Sequence, residues 1–108
     1  MQDECRGEGC PVEATLKVVG GKWKTVILFH LDAKTMRFSE LRRSIPDVTE
    51  KMLAQQLKEL EGDGIISRRV YPQVPPKVEY AMTKYGMTLK PVIAAMAEWG
   101  QGHRKRKA

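Results

Sequence analysis

Aromatic residues are scarce, at 6% of 108 residues, so a core built here must rest on Leu, Ile, Val and Met. No apolar run is long enough to cross a membrane: "TVILFHL" is short and follows Lys24. Met1 to Gly9 is charged and lacks the apolar centre of a secretory signal, which points to a cytoplasmic protein. Only two cysteines are present, Cys5 and Cys10. In a reducing compartment a structural disulfide is a poor default for them. Two cysteines and two distant histidines, His30 and His103, do not make a zinc site. Neither a Gly-rich phosphate loop, a metal-binding His pair nor a nucleophile motif is present, so neither an enzyme nor a cofactor is implied.

Hydrophobic content of 42% with 30% charged residues suits one folded domain with one modest core. Formal net charge is +6, but Arg104, Lys105, Arg106 and Lys107 supply four of those charges, leaving +2 elsewhere. The positive balance alone therefore does not locate a nucleic-acid surface; placement must.

Residues 1–9 read as a flexible arm. Cys10-Pro11 opens a first helix with Val12, Leu16 and Val19 at helical spacing, closed by Gly20-Gly21. A second helix, Lys22 to Asp32, carries Trp23, Val26, Ile27, Phe29 and Leu31. It is apolar nearly all round, as a buried central helix would be. Arg37-Phe38 is a short extended segment. Ser39 then caps a third helix that ends before Pro46, with Leu41 and Ile45 inward. Pro46-Asp47 turns the chain, and Thr49 caps a fourth helix to about Asp63 with Leu53, Leu57 and Leu60 buried. Two β-rich runs, Ile65 to Tyr71 and Lys77 to Met82, flank the proline-rich loop "PQVPP". Thr83 can cap a last helix, Lys84 to about Gly102, striped by Leu89, Val92, Ile93, Met96 and Trp99. Pro91 should kink it or mark where its regular part begins. Residues 103–108 form a basic tail. This order is the outline of a winged helix-turn-helix: mostly α with a small β-ribbon, one domain over 10–102.

In such a unit the fourth helix enters a DNA groove. With its leucines inward, Glu50, Lys51, Ala54, Gln55 and Lys58 point outward. Gln55 suits adenine N6 and N7, and Lys51 suits guanine O6 and N7. Ala54 permits close approach or a thymine-methyl contact. Ser39 and Thr49 open helices whose N-termini can hold phosphate. Arg42 and Arg43 follow Ser39; one is expected to pair with Glu40 or another acid, leaving at most one phosphate ligand. Arg68 and Arg69 alternate along a strand, so only one of them faces DNA, with Lys77 across the wing. Trp23, Trp99, Tyr80 and the methionines read as core rather than as a ligand box, and His30 as packed in its apolar helix. An interaction module that never touches DNA is the competing class; the Lys51, Gln55, Lys58 face favours DNA.

The segments "CPVEATLKVVGGKWKTVILFHL", "MRFSELRRSIPDVTEKMLAQQLKELEGDGIISRRVYPQVPPKVEYAMTKYG" and "PVIAAMAEWG" resemble the HxlR family of bacterial transcription regulators, small relatives of MarR-type winged helix proteins. The resemblance covers about Cys10 to Gly100, with several motifs in family order. It implies a homodimer that binds a double-stranded operator and dimerises through the first and last helices. Val12, Leu16, Val92, Met96 and Trp99 are the expected interface, since a lone chain would leave those stripes partly uncovered. A small-molecule or oxidant effector fits the same family. Cys10 stands at a helix N-terminus, where the dipole favours a thiolate. Several members of the family sense oxidants or electrophiles through a cysteine at that position. Cys5 departs from the pattern and is a possible resolving partner. Glu8 and Glu13 oppose a lowered thiol pKa, so sensing and simple packing both stay open at Cys10.

Overall fold

The computed structural model describes residues 9–107. Of the expected arm, residues 1–8, including Cys5 and Glu8, lie outside the described residues. The elements run α1 (Pro11–Val19), α2 (Lys24–Ala33), β1 (Met36–Arg37), α3 (Phe38–Ser44), α4 (Glu50–Gly62), β2 (Ile66–Tyr71), β3 (Lys77–Met82), a 3₁₀ turn (Gly86–Leu89) and α5 (Lys90–Lys107). The helical hairpin followed by an antiparallel wing matches the expected class.

The core is aliphatic, as the shortage of aromatics requires. Ile27, Leu28, Leu41, Leu53, Leu57 and Leu60 are almost fully buried, joined by Ile65, Ile66 and Val48. Tyr80 belongs to this core and Trp23 packs against it, whereas Trp99 stands outside. Helix α2 departs from the expected all-round burial. Its Ile27, Leu28 and Leu31 face the core while Phe29 is 54% exposed and Val26 also reaches solvent. One chain supplies neighbours for one face of α2 only. His30 is half-buried, its ring edge-on to Phe29 at 6.0 Å.

The sheet has three strands, ordered β1-β3-β2, where a two-stranded ribbon was expected. Met36 and Arg37 pair with Tyr80 and Glu79, all antiparallel. This pairing also moves the start of α3. Arg37 stays extended (φ −81°, ψ 161°) to complete the strand, then serves as N-cap, and its backbone N–H donates to Glu40 Oε1 at 2.9 Å. Ser39 therefore lies inside the first turn and is not the cap. Thr49 does cap α4: its Oγ1 accepts from the Met52 N–H at 3.1 Å.

Gly64, at φ +75°, takes the left-handed backbone that leads out of α4 into the wing. Thr83 Oγ1 then ties the far side of the wing down, donating to the Gly64 carbonyl at 2.6 Å and accepting from the Gly86 N–H at 2.9 Å. A Cβ at Gly86 would collide with the Ile65 carbonyl, so the chain crosses there only as glycine. Thr83 thus holds the first N–H of the 3₁₀ turn, whose N-cap residue is Tyr85, and the last α-helix starts at Lys90 rather than Lys84, with Pro91 in its first turn. Helix α5 runs on to Lys107, so the described residues of the basic tail are helical. Arg104 to Lys107 stand in its last turn, where cations meet the negative end of the helix dipole.

Candidate nucleic-acid interface

Helix α4 presents two faces of different chemistry. Leu53, Leu57 and Leu60 anchor it to the core, and Lys51, Ala54, Gln55 and Lys58 stand exposed on the other side at i, i+3, i+4 and i+7. Four of the expected readout residues therefore share one solvent-facing stripe. Thr49, spent on its cap bond, opens that helix with Glu50 in the first turn.

Helix α3 precedes α4, joined to it by the turn in which Val48 N–H donates to the Ile45 carbonyl at 3.2 Å. Ser39 is exposed in the first turn of α3. The expected pairing of Arg42 or Arg43 with Glu40 is absent, because Glu40 receives the Arg37 backbone N–H instead. Neither arginine pairs with an acid among the described residues. Arg43 is exposed, and Arg42 is half-buried with its Nε lacking an acceptor.

The wing separates its cations. Arg68 pairs across from Tyr80 and Tyr71 from Lys77, so Arg68 lies on one face of the ribbon and Arg69, Tyr71, Lys77 and Glu79 on the other. On the latter face Lys77 Nζ lies 3.4 Å from Glu79 Oε2 and 4.8 Å from the Tyr71 ring centre, with the Arg69 guanidinium 5.0 Å from the same ring. The Tyr71 hydroxyl beside it holds the Glu79 carboxyl below the ordinary value of 4.5, with Lys77 adding to the effect. The Glu79 carboxylate in turn raises Tyr71 above its ordinary 10.0. Arg68 and Lys77 were both expected to contact DNA. The structure puts them on opposite faces and commits Lys77 to its neighbours, leaving Arg68 exposed without an acidic or aromatic partner among the described residues. The loop between the strands, Pro72 to Pro76, contains a cis Val74–Pro75 bond and a Val74 that is almost wholly exposed.

A second surface is mainly apolar. Val12, Leu16, Val92, Met96 and Trp99 are exposed on α1 and α5. Between α2 and α5 lies an open groove of about 510 Å³ whose lining includes Val26, Phe29, Ile93 and Met96, with His103 and Arg104 at its C-terminal end. Phe29 and Val26 went unnoticed in the sequence because their helix reads as buried all round. Trp99 is stacked on His103, one turn on, at 5.0 Å between ring centres.

Cys10 is the N-cap residue of α1, is 5% exposed and is disulfide-bonded. This corrects the expectation drawn from a reducing compartment, which bears on whether a bond persists and not on whether Cys10 is placed to form one. The chain's other cysteine, Cys5, lies outside the described residues.

A polar contact also links α4 to α2. Lys24 Nζ, at the start of α2, donates to Glu59 Oε1 of α4 at 2.8 Å. This bond lowers the Glu59 pKa, with a smaller contribution from the Gln55 side chain. The sequence signal was a lysine heading an otherwise apolar helix.

Known proteins share this arrangement. Residues 18–108 match the HxlR-like helix-turn-helix family. The HTH-type transcriptional regulator YybR of Bacillus subtilis (strain 168) is 55% identical over 97 residues, 90% of this chain and 78% of that protein. The oxidized form of the redox regulator HypR superposes with a TM-score of 0.83 at 54% identity, over 86% of this chain and 96% of that one. The reduced transcriptional regulator YodB from B. subtilis gives 0.73 at 38%, over 83% and 89%. With the family match spanning most of the chain, and relatives that are regulators rather than enzymes, this protein belongs to the HxlR family of DNA-binding helix-turn-helix transcriptional regulators.

Proposed function

We propose that the chain acts as a homodimer whose two α4 helices read an operator, with affinity set by the thiol–disulfide state of Cys10. The observation that carries the readout is the bare stripe of α4, where Lys51, Ala54, Gln55 and Lys58 stand outward from a helix pinned by three buried leucines. A rigid helix with amide and ammonium donors near its N-terminal half suits base edges in the major groove. Thr49, Ser39, Arg42, Arg43 and Arg68 are the phosphate-positioning groups around it.

The dimer reading rests on Leu16 and Trp99, 57% and 71% exposed. Apolar surface of that extent on two helices is stabilised by an isologous contact with a second copy. A two-fold axis through α1 and α5 would set the two α4 helices about 34–36 Å apart, one turn of DNA.

The redox reading rests on the disulfide at the N-cap of α1, a helix of that same face. It is supported by relatives: HypR is a redox regulator solved in oxidized and reduced forms, and YodB has been solved reduced and diamide-treated. In the step, two thiols lose two protons and two electrons to diamide or a quinone, which is reduced, and the sulfur–sulfur bond forms. Bonding at the head of α1 would shift the dimer contact and with it the spacing of the α4 pair. The test is a footprint on the DNA upstream of the chain's own gene, with wild type and Cys10→Ser, before and after diamide. Wild type should change its affinity on oxidation and Cys10→Ser should not. Equal affinity in all four states would leave Cys10 a structural residue.

A further inference from the structure

Lys24 is the single buried charged residue among the described residues, 6% exposed, on a helix whose other buried side chains are Ile27, Leu28 and Leu31. A buried ammonium is costly unless an anion meets it, and an aliphatic residue would fill the position without that cost. The anion here is Glu59, 35 residues away on α4, its side chain 44% exposed. Buried ion pairs add little net stability compared with well-packed apolar residues; what they can add is a unique arrangement of the elements they join. Glu59 lies one turn beyond Gln55 on the same helix, at the i, i+4 spacing that makes side chains neighbours. A glutamine amide that gives one N–H to a fixed carboxylate keeps its other N–H and its carbonyl oxygen. Those two groups are what pairing with adenine N7 and N6 uses.

We propose that Lys24 is a positioning residue for base readout: held beneath α4 by Glu59, it fixes the rotation of that helix and the presentation of Gln55 without reaching DNA. The proposal rests on α4 being the readout helix. It separates sequence preference from overall affinity, because Lys24 has no access to phosphate.

The experiment measures affinity for the operator and for a random duplex, together with thermal melting, in wild type, Gln55→Ala, Lys24→Met, Lys24→Arg and the Lys24→Met/Gln55→Ala double variant. Lys24→Met should cut the operator-to-random ratio about tenfold, the scale of coupling between contacting residues, while random-duplex affinity stays as in wild type. Lys24→Arg should recover most of the ratio, and the double variant should discriminate no worse than Gln55→Ala alone. Loss of the ratio in Gln55→Ala with a full ratio in Lys24→Met would overturn the positioning role and leave the readout assignment standing. A full ratio in Gln55→Ala would overturn that assignment and the positioning role with it. Should Lys24→Met fail to fold, Glu59→Asp carries the test, since it keeps the charge but shortens its reach; an unchanged ratio there overturns the proposal.

Discussion

The half of the molecule where α3 and α4 turn their leucines inward is closed, and the half built from α1, the outer side of α2 and α5 is open. In the first, Leu41, Leu53, Leu57 and Leu60 are at most 1% exposed, and caps at Thr49 and Arg37 occupy the helix ends. In the second, residues of the same apolar kind remain in water: Leu16, Phe29, Met96 and Trp99 are all about half exposed or more. The same chain that packs one half to near-complete burial cannot have failed by composition in the other. The difference teaches that the first is finished within one chain and the second is not, which is the ground of the proposed dimer.

The largest effect should come from opening the closed half. Leu57→Ala removes a side chain that is 1% exposed and should destabilise the fold by about 2–5 kcal/mol, read as a lowered denaturation midpoint. An equivalent truncation on the open half, Leu16→Ala, should cost the folded monomer far less. Equal losses at both positions would erase the contrast.

Next in size is a charge placed on the open half. Met96→Glu should weaken self-association on the order of 100-fold, as for loss of an interface hot spot, and abolish operator binding with it. Light scattering checks the first outcome and a footprint the second. A wild-type chain that scatters as a monomer at micromolar concentration would sink the partner reading.

Smaller changes sharpen what the closed half does. Gln55→Ala should lower preference for the operator by about 1–3 kcal/mol if its amide pairs with a base edge. Arg68→Ala should instead weaken all duplexes alike and flatten the salt dependence by about one unit. Lys77→Ala should do so less, since its ammonium is already shared with Glu79 and Tyr71.

The smallest effect is that of pH on the wing and on α4. Glu79 and Glu59 have folded pKa values below the ordinary 4.5, so their contribution is present above that value and fades as pH falls through it. Tyr71 is raised above 10.0, so its contribution is present below 10.0 and fades as pH rises beyond it. Glu79→Gln should flatten both limbs of a stability–pH curve, because it removes the carboxylate that shifts Tyr71.

Most of the fold is legible along the chain. Helical spacing of leucines, a threonine cap and a proline-glycine punctuation place α1, α4 and the wing, because these signals act within a few residues of one another. The outward stripe of α4 follows from the same spacing, so Lys51, Ala54, Gln55 and Lys58 are found without a structure. What failed to show depends on distant partners. Ser39 has the chemistry of a cap, yet the pairing of Arg37 with Glu79 hands that role to Arg37. Arg68 and Lys77 carry the same charge, and only the register of β2 on β3 sets them on opposite faces.

The sequence by itself determined the winged helix-turn-helix, its family and the chemistry of the readout helix, since periodicity, caps and motif order are local properties. Tertiary structure alone decided which apolar faces stay uncovered, that Cys10 is bonded, and that Lys24 lies under α4 against Glu59. Each of these depends on groups that meet only when separate elements pack, and spacing along the chain carries no record of those meetings.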